Sequence, residues 1–92
     1  MDKETAKGYA SDGLLWLAKN KNYLEAFLIV SGTAIQDLRI RSNDTEFLVF
    51  VLDFLMTSDE LIRNLCSSLN IDPETLRQAQ YALSDQGIRE WT

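Results

Sequence analysis

The sequence predicts an all-α fold: a compact bundle of about six short helices packed around one almost wholly apolar helix. Three observations predict it. Apolar residues recur at spacings of three and four along the chain, with no clear two-residue alternation. Residues that start and stop helices punctuate this pattern. Proline occurs once, at Pro73, and glycine four times, so no stretch reads as a linker. The chain has 92 residues, of which 46% are apolar, enough for one core and one domain, residues 1–92.

The first helix is expected from Lys3 to Lys19. Ala6, Tyr9, Ala10, Gly13, Leu14, Trp16 and Leu17 share one arc of it, and Leu15 falls on the opposite, polar side. Gly13 lies mid-arc, which predicts close approach of another helix there. Asn20-Lys21-Asn22 reads as a turn. The second helix runs from Tyr23 to Ser31, with Leu24, Phe27, Leu28 and Ser31 on one face. Gly32 is its left-handed terminator. The third is expected from Ala34 to Arg41, with Ile35 and Leu38 inward and Asp37 four residues before Arg41, the favourable order for an ion pair.

Asn43 or Asp44 can cap the fourth helix, Phe47 to Met56. Its polar positions, Glu46, Asp53 and Thr57, fall within about 40° of one another on a helical wheel. Every other direction is apolar, so this helix belongs in a core or between subunits. Ser58 caps the fifth, whose first turn carries Asp59 and Glu60. Leu61, Ile62, Leu65, Cys66 and Leu69 cover its inner arc, and Asn70 can end it. Asp72-Pro73-Glu74 starts the sixth, with a capping aspartate and a proline at the first helical position. Leu76, Ala79 and Leu83 face inward. Gly87 is expected to end this helix, leaving residues 86–92 as a tail that contains Trp91.

A weak internal echo links Leu24, Phe27, Leu28, Ser31 and Gly32, followed by Leu38-Arg39, with Leu61, Asn64, Leu65, Ser68 and Asn70, followed by Leu76-Arg77. Both units read as helix, tight turn, helix. Two copies are too few for a solenoid, but they leave open a pair of helical hairpins flanking the fourth helix.

Charge and composition narrow the function. The net charge is −5. Residues 1–42 hold six basic and five acidic residues, whereas residues 43–92 hold three and nine. This acidic balance repels phosphate backbones, so nucleic acid is disfavoured as a partner. The polar first dozen residues predict no signal peptide. The longest apolar run falls short of the roughly 20 residues that span a bilayer, so no membrane role is expected. The single cysteine excludes an internal disulfide and, with these features, points to the cytoplasm.

The run Phe47-Leu48-x-x-Val51-Leu52-Asp53-Phe54-Leu55, followed by Asp59-Glu60-x-Ile62, resembles the signature of a family of short, uncharacterised alphaproteobacterial proteins catalogued as a domain of unknown function. Leu15-Trp16-Leu17-Ala18, Ser31-Gly32, Leu38-Arg39 and Asp72-Pro73-Glu74 support the resemblance, which covers most of residues 6 to 83. Two features depart from it. Gly32-Thr33-Ala34-Ile35-Gln36 stands where the family tends to repeat an Asp-Pro-Glu start, and the tail with Trp91 is peculiar to this chain. The resemblance implies a compact helical bacterial protein and carries no activity.

Little in the sequence points to chemistry. There is no histidine, so the commonest general base and zinc ligand are missing. No catalytic residue, metal ligand or cofactor is predicted. Cys66 sits on an apolar arc, where core packing outweighs redox sensing. The acidic pairs Asp59-Glu60 and Asp44 with Glu46 sit at helix starts, where capping outweighs a metal site. Asp53 admits three readings: a solvated polar stripe, a partly buried ion pair with Arg39 or Arg41, or a partner contact. Tyr81 and Trp91, with Leu15 and Ile29, are candidate partner contacts, as surface aromatic and apolar residues can be. The expected function is therefore a noncatalytic protein–protein interaction or regulatory module with an unidentified protein partner, as a monomer or a homodimer. Val49 and Phe50 would be the dimer surface if exposed. The alternative is a nucleic-acid-binding helix-turn-helix built from the fifth and sixth helices, presenting Arg77, Gln78 and Gln80.

Overall fold

Asp2 opens the first helix by accepting the Thr5 amide at 3.0 Å on its carboxylate. The structure, a computed structural model, describes the backbone of residues 1–89 and the side chains of residues 1–84. Six α-helices follow one another: α1 Lys3–Lys19, α2 Lys21–Ser31, α3 Leu38–Arg41, α4 Thr45–Leu55, α5 Asp59–Leu69 and α6 Pro73–Arg89. A short 3₁₀ turn, Ile35–Asp37, leads into α3. No strand occurs among the described residues.

The ends of these helices follow from local chemistry. Hydrogen bonds from Thr5, side chain first and then backbone, hold the Asp2 carboxyl below its ordinary pKa. Asn20 alone separates α1 from α2. Its side-chain amide donates to the Trp16 carbonyl at 2.7 Å, so the predicted three-residue turn contracts to one residue. Gly32 closes α2 at φ 69° and Asn70 closes α5 at φ 57°, both left-handed. The Asp44 carboxylate accepts the Glu46 amide at 3.1 Å, and the Ser58 hydroxyl accepts the Leu61 amide at 3.4 Å.

The core gathers on α4. Phe47, Leu48, Val51, Leu52 and Leu55 are buried, and α1 and α6 pack against this helix and each other. From α2, Phe27 inserts its ring among Phe47, Phe50 and Phe54, with centroids 5.8, 5.8 and 5.2 Å away. These are the tilted or edge-on aromatic contacts that ring quadrupoles favour. Gly13 is buried on α1. A β-carbon there would lie 2.6 Å from Leu55 Cδ1, so the predicted close approach is between α1 and α4 at this residue.

Three expectations need correction. The third helix does not run unbroken from Ala34. Its first part is 3₁₀ and its α-helical part is four residues long, too short to present an amphipathic face. As a result Ile35, expected inward, is exposed, and only Leu38 of the pair is buried. Nor does Gly87 end α6, which continues to Arg89. A single glycine within a helix costs about 1 kcal/mol relative to alanine, a penalty that weakens a helix without stopping it.

Candidate functional site

The fourth helix carries its polar stripe outward. Glu46, Asp53 and Thr57 are all exposed. Asp53 does not pair with Arg39 or Arg41. Instead its Oδ1 accepts a hydrogen bond from Gln80 Nε2 at 2.7 Å, which ties α4 to α6. Arg41 instead lies toward the other end of α4. Arg41 places its guanidinium carbon 5.9 Å from the centre of the Phe47 ring, and Phe47 lies about 9 Å along the helix axis from Asp53. Asp37 and Arg41 do not pair either. Among the described residues the only ion pair is Arg77 with Glu74, at 3.6 Å on the exposed face of α6.

The described candidate partner residues therefore do not all converge. Asp53 is on the α4–α6 seam, and Tyr81, 70% exposed, is on α6. Arg39 and Arg41 are exposed on α3. Trp91 lies outside the described residues. Of the three residues offered for base contact, Arg77 is held by Glu74 and Gln80 by Asp53.

Cys66 is buried at the end of α5. Burial pushes its thiol above the ordinary pKa, and the nearby Asp72 carboxylate adds to the effect. Both suppress the thiolate, the reactive form. Among the described residues no group of three or more His, Cys, Asp or Glu side chains is placed to hold a metal ion. No helix of the described residues is long and apolar enough to cross a membrane.

The stretch from the end of α2 to α3 exposes several apolar side chains, of which the sequence had singled out Ile29. Ile29 and Val30 on the last turn of α2, Ile35 in the 3₁₀ turn, and Ile40 on α3 all project outward, with Ile29 81% and Ile40 76% exposed. Phe50 of α4 is 36% exposed and Val49 half-buried. Phe50 and Phe47 share a shallow depression of about 210 Å³ with Ser31, Thr33, Arg41, Asp44 and Glu46. Thr33 is buried there with its hydroxyl unpartnered. Helical periodicity hid Ile35 by placing it inward. The signal for Ile40 was its position between Arg39 and Arg41.

The family described as "Protein of unknown function (DUF3572)" matches residues 3–86. The chain belongs to this family. The match takes in α1 to α5, the whole apolar run of α4 and α6 as far as residue 86. No curated protein and no solved structure matches the chain.

Proposed function

We propose that this DUF3572 protein is a noncatalytic protein–protein interaction or regulatory module. The observation that carries the reading is the apolar surface left outside the core by the α2–α3 corner. Four large aliphatic side chains are exposed within residues 29–40 while Leu38 among them is buried. A contiguous apolar patch marks an interaction surface, and four exposed aliphatic side chains close together in the chain support that reading. The same reading places the protein in the bacterial cytoplasm. A single cysteine, buried and held as a thiol, is in keeping with a reducing compartment.

The test is affinity capture from native cells with the full chain and with an Ile29→Glu/Ile40→Glu variant. Both positions are more than three-quarters exposed, so the variant should keep its helical signal and melting temperature. The expected result is a distinct protein retained by the native chain and lost by the variant. Capture of nothing beyond the chain itself would count against the module. Retention on DNA at low salt, lost with Arg77→Ala, would replace it with the helix-turn-helix reading.

A further inference from the structure

We propose that the depression between residues 31–33 and the start of α4 binds a small zwitterion with an apolar side chain, an α-amino acid. This inference does not rest on the interaction reading above. The first observation is an unanswered hydroxyl. Thr33 is 6% exposed and lines the depression, and its Oγ1 has no hydrogen-bond partner. Buried hydroxyls are nearly always bonded, because removing one from water without a partner is costly. The neighbouring Ser31 hydroxyl is engaged elsewhere: it donates to the Leu28 carbonyl at 3.4 Å and accepts the Thr33 amide at 3.2 Å. A fold that leaves Thr33 unpaired here gives up stability at a position where binding can use it.

The chemistry of the occupant follows from what else lines the same depression: Arg41, Asp44, Glu46, Phe47 and Phe50. The Asp44 amide donates to the Arg41 carbonyl at 2.9 Å, so the charged side chains leave neighbouring backbone. Yet among the described residues Arg41 pairs with neither carboxylate within 4 Å. A bare anion drawn to Arg41 would sit beside two carboxylates, and a bare cation drawn to those would sit beside Arg41. A molecule with both charges answers both. Its carboxylate suits the planar guanidinium, which binds such groups through two parallel hydrogen bonds, and its ammonium suits Asp44 and Glu46. Either group can give Thr33 its missing partner, since a hydroxyl both donates and accepts. The aromatic side is fixed in place. Phe27 lies 5.8 Å from the rings of both Phe47 and Phe50, and the Arg41 guanidinium lies 5.9 Å from the Phe47 centroid. Such rings beside a few polar groups take an apolar side chain. The volume of about 210 Å³ is below the roughly 300–1,000 Å³ of sites for drug-sized ligands, which limits the occupant to on the order of ten non-hydrogen atoms.

Titration of the full chain with L-leucine and with L-phenylalanine, each to about 10 mM and followed by amide chemical shifts, tests this. The expected result is saturable shifts at residues 31–33 and 41–50 with at least one of the two. Acetylating the amine of that probe, or amidating its carboxylate, should each raise the dissociation constant at least about tenfold. Arg41→Gln and Thr33→Val should each do the same, as loss of a hydrogen bond to a charged group does. Thr33→Val should hold or raise the melting temperature while it weakens binding, which separates a lost contact from a lost fold. Three results overturn the site: no saturable shift with either probe, equal binding of the acetylated or amidated probe, or binding that survives both substitutions in folded protein. The first would mean that Thr33 meets ordered water only.

Discussion

The two helical hairpins share a layout and end differently. In both, a helix of 11 residues closes on a left-handed residue, Gly32 or Asn70, and a two-residue link leads to a second helical segment. Leu38 and Leu76 hold equivalent buried positions, 38 residues apart. Beyond that the hairpins part. After α5 the chain reads Asp72-Pro73-Glu74 and continues as a helix of 17 residues that buries Leu76, Ala79 and Leu83 against α1 and α4. After α2 it reads Ala34-Ile35-Gln36, has no side-chain cap, and gives one 3₁₀ turn and four α-helical residues. Helix nucleation is costly and is repaid only by propagation and packing. Without a cap, and with Leu38 alone turned inward, the segment stops, and Ile35 and Ile40 stay outside. The same template thus builds half of the core in one place and an exposed apolar corner in the other.

The strongest way to break that comparison is truncation at the equivalent leucines. Leu76→Ala should destabilise the protein by about 3 kcal/mol, and Leu38→Ala by less than about 2 kcal/mol, because the corner can collapse around the loss. Urea unfolding checks both, and equal losses would mean that the corner is as integral as the core. The tight side can be probed by overpacking. Gly13→Val should cost about 2 kcal/mol by driving a side chain into the fully buried Leu55, read as a drop in melting temperature.

The corner should respond in the opposite direction. Thr33→Val removes a buried hydroxyl that has no hydrogen-bond partner at nearly constant shape, so it should stabilise by about 1 kcal/mol. A loss of stability instead would show that the hydroxyl is satisfied in solution. Ala34 has the extended backbone of a helix-capping position, φ −80° and ψ 151°. Ala34→Asp should therefore supply a side-chain cap of the kind Asp2 gives α1, for about 0.5–1 kcal/mol, together with slower amide exchange over residues 36–40. Smallest of all, Asp53→Asn should change stability by no more than about 0.5 kcal/mol, since its bond to Gln80 is exposed. Its effect should add simply to that of Arg39→Ala or Arg41→Ala, which coupled ion-pair partners would not do.

Much of the core was legible in the sequence because its signals are local. Asp44, Ser58 and Pro73 fix helix starts through bonds or backbone angles within a few residues, and Gly32 and Asn70 fix helix ends through one dihedral each. The inward arcs of α1, α5 and α6 follow from the 3.6-residue period. The close approach at Gly13 was legible because a glycine on an apolar arc weakens a helix and calls for a compensating contact. The candidate surface was far less legible. Periodicity turned Ile35 inward by treating residues 34–41 as one helix, and helix length depends on what the segment packs against. Asp53 was paired with arginines by sign of charge alone, whereas its partner is the neutral Gln80.

By itself, then, the sequence determined that this is an all-α chain centred on Phe47 to Met56, where most of its helices begin and end apart from the third and the last turn of the sixth, and which faces of α1, α5 and α6 turn inward. All of these depend on interactions spanning at most a few residues. The tertiary structure decided that the polar line of α4 reaches α6 through Asp53 and Gln80. It also decided that Gly13 meets Leu55 and that Phe27 fills the space among three phenylalanines. Finally, it left the side chains of Ile29, Val30, Ile35 and Ile40 outside the core. Those outcomes turn on which helices lie side by side, and the burial of an apolar residue is settled by its neighbours in space rather than by its neighbours in the chain.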